Sequence, residues 1–252
     1  MRIFVGTGKE KEYPVGVLYG RCQCFIKTAG FFMGDVMLEK MGDFFDARVD
    51  GYENHQLSSI ESAHDFYPYT AGCLPLEPGI KVLDLGCGTG LELKEYFSLN
   101  PTAKITGIDL SPEMLNALRE KFPHKEMNLI LGSYFDVPFG VNEFDCALSV
   151  ESLHHFSKEE KVPLYKKLRE ALKDGGYFIL TDYFAENADQ EGALREELMK
   201  IRKEQHLSDN EFYHYDTPLT VEHEMDAFIE AGFSSVKVLN HWGATYTLKA
   251  IK

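Results

Sequence analysis

The stretch Val82-Leu83-Asp84-Leu85-Gly86-Cys87-Gly88-Thr89-Gly90 decides the fold of this chain. Its first half is apolar enough for a buried strand, and its second half carries glycines separated by single residues. Glycine permits a positive φ and leaves no Cβ between the backbone and a bound molecule. A second apolar run, Lys104–Ile108, ends in Asp109, a carboxylate suited to a ribose diol. The pattern predicts a strand, a tight turn and a ligand site.

After a loop at residues 74–79, apolar runs of strand length alternate with amphipathic helical segments. This alternation is typical of a parallel sheet with helices on both faces. Parallel strands are predicted at Lys81–Leu85, Lys104–Asp109, Met127–Leu131, Phe144–Ser149 and Tyr177–Thr181. The last two runs, Ser235–Leu239 and Thr245–Ile251, are joined by a turn at His241-Trp242-Gly243, which requires an antiparallel pair. The expected fold is α/β, with a seven-stranded, mostly parallel sheet and an antiparallel C-terminal hairpin.

Helix boundaries are marked by capping residues. Ser111-Pro112-Glu113 combines an N-cap, a proline at the first helical position and an early acid, and Ser157 with Glu160 has capping-box spacing. A further helix is expected from Gln190 to about His206, with the inward-facing residues Leu194, Leu198 and Ile201. Thr220 is expected to cap a final helix that ends at Ala231, before Gly232.

Composition narrows the classes of partner. The 252 residues include 40 acidic and 26 basic side chains, a formal charge of −14. This charge argues against DNA and against anionic membranes, although a local basic face could still dock a folded RNA. A single core with a small-molecule ligand is the simpler expectation. Nothing in the sequence decides the oligomeric state, and a homodimer is possible.

The cysteines favour a reducing compartment. Cys22, Cys24, Cys73, Cys87 and Cys146 form no CxxC pair and no disulfide framework. No apolar run is long enough to span a bilayer, and no secretory signal is evident. We therefore expect a cytoplasmic protein without a membrane partner.

The glycine turn carries a resemblance to a known family. Asp84 followed by Gly86-Cys87-Gly88-Thr89-Gly90 resembles motif I of class I S-adenosylmethionine-dependent methyltransferases, and Asp109 matches their acidic ribose-binding position. Nicotinamide-binding folds have GxGxxG instead, which disfavours an NAD-dependent oxidoreductase. The resemblance covers roughly residues 43–252 and implies a Rossmann-like fold with S-adenosyl-L-methionine as cofactor.

The same resemblance implies a set of cofactor contacts. They fall on Tyr52, Asp84, Gly86, Cys87, Gly88, Gly90, Asp109, Leu110, Ser133, Tyr134, Ser149 and Val150. Some of these residues have plain structural alternatives. Asp84 could cap the turn, Asp109 could cap the helix near Ser111, Tyr134 could be an ordinary strand-end residue, and Tyr52 could simply pack the domain.

Three histidines are candidate catalytic residues. His154 and His155 follow the predicted fourth strand, and His214 lies in a later Tyr-His-Tyr run. A histidine has a near-neutral pKa suited to proton transfer. Neighbours on a strand face opposite sides, so His154 and His155 are expected to diverge, one toward the pocket and one toward packing. They would be a poor metal pair, and no metal site is predicted.

The segment order suggests how the domain is built. Residues 1–42 are read as an appendage of uncertain status, and one hypothesis places a natural start at Met33, Met37 or Met41. Residues 43–252 form the methyltransferase-like domain, with lid helices at 43–73 and an insertion at 182–219 that caps the acceptor pocket. The expected activity is methyl transfer to a small-molecule acceptor. The alternatives are a carboxy-S-adenosylmethionine synthase or tRNA-modification enzyme, which the chain resembles more weakly, and a non-catalytic cofactor-binding sensor or partner protein.

Overall fold

The computed structural model of this chain describes residues 37–208 and 210–252. The helices are α1 (Met41–Asp46), α2 (Val49–Ser59), α3 (Ala63–Gly72), α4 (Leu91–Leu99), α5 (Pro112–Lys121), α6 (Lys158–Ala171), α7 (Ala188–Glu204) and α8 (Val221–Glu230). The strands are β1 (Lys81–Leu85), β2 (Lys104–Asp109), β3 (Met127–Leu131), β4 (Phe144–Val150), β5 (Leu172–Tyr183), β6 (Ser235–Trp242) and β7 (Thr245–Ile251). The predicted appendage lies outside the described residues up to residue 36.

All strands join one sheet in the order β3-β2-β1-β4-β5-β7-β6. The pairs among β1 to β5 are parallel, and β7 runs antiparallel to both β5 and β6. Val82, Leu83 and Leu85 have no exposed surface, as expected for a central parallel strand covered on both faces. The strand order reverses between β1 and β4, where open α/β sheets bind ligands at the carboxyl ends of their strands.

The C-terminal hairpin differs from the prediction in its turn. His241 and Trp242 belong to β6, where they pair with Tyr246 and Thr245, and the turn is shifted to Gly243-Ala244. The Trp242 ring lies 5.2 Å from the ring of Tyr69 on α3, so the strand continues far enough to bury part of the indole. The predicted turn at residues 241–243 was therefore placed too early, because β6 continues through His241 and Trp242 where the indole packs against α3.

The predicted caps are present, but α7 packs less deeply than expected. Ser111 and Thr220 accept hydrogen bonds from Met114 N and His223 N, and Ser157 with Glu160 forms a full capping box. No residue of α7 is fully buried, and the predicted inward residues of this helix, Leu194, Leu198 and Ile201, are only half-buried. The helix covers surface loops rather than the main core.

The N-terminal covering segment is tied to the insertion. Lys40 and Tyr213 form an antiparallel bridge, Met41 N donates to Phe212 O at 2.9 Å, and His214 N donates to Glu39 O at 3.0 Å. These contacts place residues 39–42 in the compact unit that ends at Lys252, not in the predicted appendage. The range 43–73, predicted to form a lid, contains most of α1 and all of α2 and α3.

Two expectations from composition concern thiols and membranes. Cys73, Cys87 and Cys146 are free thiols, whereas Cys22 and Cys24 lie outside the described residues. In the part of the chain that the structure describes, no helix is both long and apolar enough to cross a bilayer.

Candidate functional site

A cavity opens at the carboxyl ends of β1, β2 and β4, beneath α1 and α2. Its lining consists of Met41, Phe45, Tyr52, Gly86, Gly88, Asp109, Leu110, Met114, Tyr134, Glu151, Ser152 and His155. The mixture of apolar walls with a few polar groups is typical of a metabolite or cofactor site.

The glycine turn gives the cavity space rather than hydrogen-bond donors. Gly86 and Gly88 have φ values of +72° and +46°. A Cβ on Gly86 would lie 2.0 Å from the Ser152 hydroxyl oxygen, so this position has no room for a side chain. The amide groups of Gly86 and Cys87 both donate to Ile108 O, and Gly88 N donates to Asp109.

Gly90 and Cys87, two predicted cofactor contacts, both pack closely against neighbouring residues. Neither residue lines the cavity. A Cβ on Gly90 would lie 2.5 Å from a methyl of Leu118, so this glycine lets α4 and α5 approach each other. The Cys87 side chain is buried beneath the turn, where it fills the space above Gly107.

Asp109 both lines the cavity and caps backbone groups. Its Oδ2 accepts from Gly88 N at 2.8 Å, and its Oδ1 accepts from Ser111 N at 2.9 Å. Burial raises the pKa of this carboxyl, while the backbone donors oppose the shift. A carboxylate oxygen can accept more than one hydrogen bond, so capping leaves acceptor capacity for a diol.

Asp84, a predicted cofactor contact, is not part of the cavity lining. It is only 1 % exposed and faces Glu92 in the first turn of α4. Burial, together with the neighbouring Glu92, holds the pKa of Asp84 well above its usual range, and burial raises the pKa of Glu92 to about 7. Two acids therefore occupy the positive end of α4, where a dinucleotide-binding fold would receive a pyrophosphate.

After β4, the residues that line the cavity lie two positions further along the chain than the predicted Ser149 and Val150. Ser149 is buried and donates to Leu85 O at 2.8 Å, and neither it nor Val150 lines the cavity. The lining falls instead on Glu151 and Ser152, which directly follow the strand. Glu151 adopts a left-handed backbone with φ +49°, a conformation that is uncommon outside glycine and concentrates at functional sites. The carboxyl-end rule for parallel strands was the available signal for this pair.

The remaining wall residues match the prediction in part. Leu110 and Tyr52 line the cavity, and the Tyr52 ring lies 6.2 Å from that of Phe45 in an edge-on arrangement. Tyr134 also lines it, and its hydroxyl donates to Ser152 O at 3.2 Å. Ser133 does not, because its hydroxyl accepts from Phe135 N within the loop.

The three predicted catalytic histidines occupy different environments. His155 lines the cavity, and its Nδ1 lies 3.1 Å from Tyr215 O. His154 lies behind it, with Nδ1 2.6 Å from Asp182 Oδ1. His214 stacks on Phe44 with ring centroids 3.6 Å apart and does not line the cavity.

Of this pair only His155 lines the cavity, while the two rings lie side by side instead of on opposite faces. Their ring centroids are 4.0 Å apart, because residues 153–155 form a turn and not a strand. Burial would lower the pKa of His154, but the carboxylates of Asp182 and Asp216 outweigh it and raise this pKa to about 10. Burial, with the adjacent charge on His154, lowers the pKa of His155. One ring is therefore cationic and its neighbour neutral at pH 7.

Sequence comparison places the glycine turn in a known domain. Residues 82–176 match a family described as "Methyltransferase domain". The chain is 28 % identical over 183 residues to sterol 24-C-methyltransferase ERG6B of Gibberella zeae, covering 69 % of this chain and 43 % of that protein. It is 29 % identical over 137 residues to erythromycin 3''-O-methyltransferase of Saccharopolyspora erythraea, covering 52 % and 44 %. The chain thus spans less than half the length of these two curated relatives.

Solved structures share the fold. Human N-acetylserotonin methyltransferase in complex with SAM has a TM-score of 0.56 and 21 % identity, over 83 % of this chain and 55 % of that one. The methyltransferase SibL has a TM-score of 0.59 and 17 % identity, over 94 % and 71 %. The domain match begins on β1 and runs into β5, so it spans the strands that frame the cavity. On this evidence the chain carries a methyltransferase domain of the class I, S-adenosylmethionine-dependent type.

Proposed function

We propose that this protein transfers the methyl group of S-adenosylmethionine to a small-molecule acceptor. The observation that carries the proposal is the cavity in which the bare Gly86 and Gly88 backbone faces Asp109 across the ends of β1 and β2. The side chains that line this cavity suit a nucleoside that carries a cationic group, because they include carboxylates and aromatic rings.

Different cavity residues would contact different parts of the cofactor. Asp109 would accept hydrogen bonds from the ribose hydroxyls, and Leu110 with Met114 would pack against the adenine. Gly86 and Gly88 would let the methionine portion lie against the backbone, and Tyr52 would cover it. The cofactor supplies a methyl group already activated on a sulfonium, so the protein chiefly has to align the acceptor with it and exclude water.

The acceptor would enter beneath the two joined covering segments. Residues 39–41 and 212–214 are held together by backbone hydrogen bonds and by the stacking of Phe44 on His214. Aromatic rings of Phe135, Phe156 and Phe212 cluster beside this joint, with neighbouring centroids 4.7–5.4 Å apart. The cavity itself has the apolar or aromatic wall residues Met41, Phe45 and Tyr134, which favour an acceptor with an apolar or ring-bearing body. The curated relatives named above are, by their names, sterol and erythromycin methyltransferases.

Two competing cofactors fit less well. A dinucleotide would bring its pyrophosphate to the start of α4, where the buried Asp84 and Glu92 carboxyls already occupy the positive end of the helix. Carboxy-S-adenosylmethionine carries an extra carboxylate that requires a cation, and neither lysine nor arginine belongs to the cavity lining given above. We therefore propose the ordinary methyl donor.

Turnover distinguishes an enzyme from a cofactor-binding sensor. Purified protein is incubated with S-adenosylmethionine and pools of alcohols, amines, phenols and total tRNA, and S-adenosylhomocysteine is measured by mass spectrometry. We expect acceptor-dependent product with a small-molecule pool. Tyr52→Ala should reduce turnover, whereas Tyr69→Phe, which removes a hydroxyl bonded to Leu239 O away from the cavity, should not. Cofactor binding without turnover on any pool would favour the sensor, and product only with tRNA would favour RNA modification.

A further inference from the structure

A cluster of His154, His155 and Asp216 lies behind the cavity wall and has no part in the cofactor contacts proposed above. One potential ligand atom from each residue lies within 4.8 Å of the others. His154 Nε2 is 3.5 Å and His155 Nδ1 is 3.3 Å from the same oxygen, Asp216 Oδ1. All three residues are buried.

The spacing of these atoms is that of metal ligands. Ligand atoms about 2.0–2.2 Å from a tetrahedral ion lie roughly 3.3–3.6 Å from one another. Both measured separations from Asp216 Oδ1 fall in this range. His154 Nε2 and Asp216 Oδ1 are also buried atoms whose 3.5 Å contact with each other does not have the geometry of a hydrogen bond. Buried polar atoms of native proteins are nearly always satisfied, so two that face each other call for an explanation.

Outer contacts hold the cluster in place. Asp182 binds His154 Nδ1 at 2.6 Å and itself accepts from Leu153 N at 2.9 Å and Tyr183 N at 3.0 Å. Thr217 N and Thr217 Oγ1 donate to the carbonyl oxygens of His154 and His155, both at 3.0 Å. A carboxylate on the far nitrogen of a histidine is the usual device that fixes a metal-binding imidazole.

Charge points the same way. Asp182 and Asp216 are buried carboxyl groups that both lie against the His154 ring. A divalent cation beside Asp216 would compensate buried carboxylates, and uncompensated buried charge is costly. His155 Nδ1 also lies 3.1 Å from Tyr215 O. Binding through Nδ1 would displace the proton that it otherwise donates to that carbonyl, moving it to Nε2.

We propose that His154, His155 and Asp216 bind a divalent transition-metal ion such as Zn²⁺ at the back of the acceptor side of the cavity. Two imidazoles, one carboxylate and a remaining open position form the donor set of reactive rather than purely structural zinc sites. Because His155 is also part of the cavity wall, an oxygen or nitrogen of a bound small molecule could take the open position. The proposal does not depend on methyl transfer.

Metal binding is measured on the full chain after treatment with a chelator and dialysis. Calorimetry with ZnCl₂ and elemental analysis after gel filtration are expected to give one equivalent of zinc per chain. Asp216→Ala should weaken binding at least tenfold, and Asp182→Asn should weaken it roughly 10- to 100-fold through the lost outer contact. Glu191→Gln is the control, since this carboxylate contacts His223 Nδ1 at 2.9 Å, outside the cluster.

The wild-type titration keeps the test decisive even if a variant folds poorly. Absence of stoichiometric zinc on the wild-type chain would overturn the proposal. So would zinc that Asp216→Ala and Asp182→Asn, folded by circular dichroism, bind as tightly as wild type, because the ion would then be held elsewhere, for instance by thiols. Neither result bears on whether the chain binds S-adenosylmethionine.

Discussion

Asp109 Oδ2 accepts a hydrogen bond from Gly88 N at 2.8 Å, which ties the end of β2 to the turn that follows β1. The contact holds the carboxylate at the cavity wall and fixes the turn in its open shape. A residue read from sequence as either a ligand contact or a helix cap is in fact placed for both, since its other oxygen accepts from Ser111 N.

Loss of this carboxylate should weaken cofactor binding. We expect Asp109→Ala to cost on the order of 1–3 kcal/mol in the free energy of S-adenosylhomocysteine binding, roughly 5- to 150-fold in Kd. Calorimetry measures the change. Asp145→Ala is the control, because that carboxylate bonds to Lys81 N and Lys173 near the opposite end of the sheet. Equal affinities for Asp109→Ala and wild type would remove Asp109 from the binding site.

Gly86 should tolerate no side chain. Gly79 and Gly86 have similar φ values of +73° and +72°, but only Gly86 has a neighbour in the way. Gly79→Ala is expected to cost roughly 1–2 kcal/mol of stability from backbone strain alone. Gly86→Ala should cost clearly more, and Ser152→Gly in the same chain should recover the excess. Chemical denaturation gives the comparison, and equal losses for the two alanine variants would refute the close approach.

A buried ion pair should stabilise the contact between α6 and α8. Lys161 Nζ lies 2.5 Å from Glu224 Oε2, the Tyr165 hydroxyl donates to the other carboxylate oxygen, and both charged residues are almost completely buried. Lys161→Met is expected to cost about 3–5 kcal/mol in the free energy of unfolding, because Glu224 is left as an isolated buried charge.

The double variant separates charge from packing in this ion pair. Lys161→Met with Glu224→Gln should recover most of the loss, since glutamine still accepts from Tyr165. Lys104→Met, which breaks an exposed pair with Glu126, should change little. A double variant as unstable as the single one would show that packing, not the unpaired charge, carries the effect.

The Asp84–Glu92 pair should make stability depend on pH. The pKa of Glu92 is about 7 in the folded chain against an ordinary value of 4.5, so the folded protein holds this proton more tightly. Stability is therefore lost as pH rises from about 4.5 through 7. Glu92→Gln should reduce the fall in unfolding free energy between pH 5 and pH 8 by roughly 1–3 kcal/mol.

The pH effect is isolated by comparing variants across the same range. Glu113→Gln, which alters an acid in the first turn of α5, serves as control and should keep the wild-type pH profile. Thermal or urea unfolding at several pH values supplies the data. Parallel profiles for Glu92→Gln and wild type would show that the buried pair does not titrate in this range.

Local patterns were sufficient for most of the fold. β1, β2 and β3 begin and end where their apolar runs predict. For β1 the reason is that a central parallel strand is apolar on both faces. The caps at Ser111, Ser157 and Thr220 follow from the residue type alone. The position of Trp242 could not be predicted from local patterns. The extension of β6 to this residue depends on a ring contact with α3, which lies far away in sequence.

The site was predictable only where it lies beside a motif. Gly86, Gly88 and Asp109 follow directly from strand ends, and all line the cavity. Asp84 is not part of the cavity lining, and its contact with Glu92, which the turn brings back to it, could not be read from the motif. The convergence of His154 and His155 on Asp216 involves residues about 60 positions apart, and no spacing rule applies over that distance.

Calorimetric titration with S-adenosylmethionine, S-adenosylhomocysteine, carboxy-S-adenosylmethionine and NAD tests the proposed function most directly, after mass spectrometry has checked the purified protein for retained ligand. We expect micromolar binding of the first two compounds at one site per chain, weaker binding of the carboxylated compound and none of NAD. Failure to bind any of the four, or a preference for NAD, would contradict the assignment of the cavity to S-adenosylmethionine.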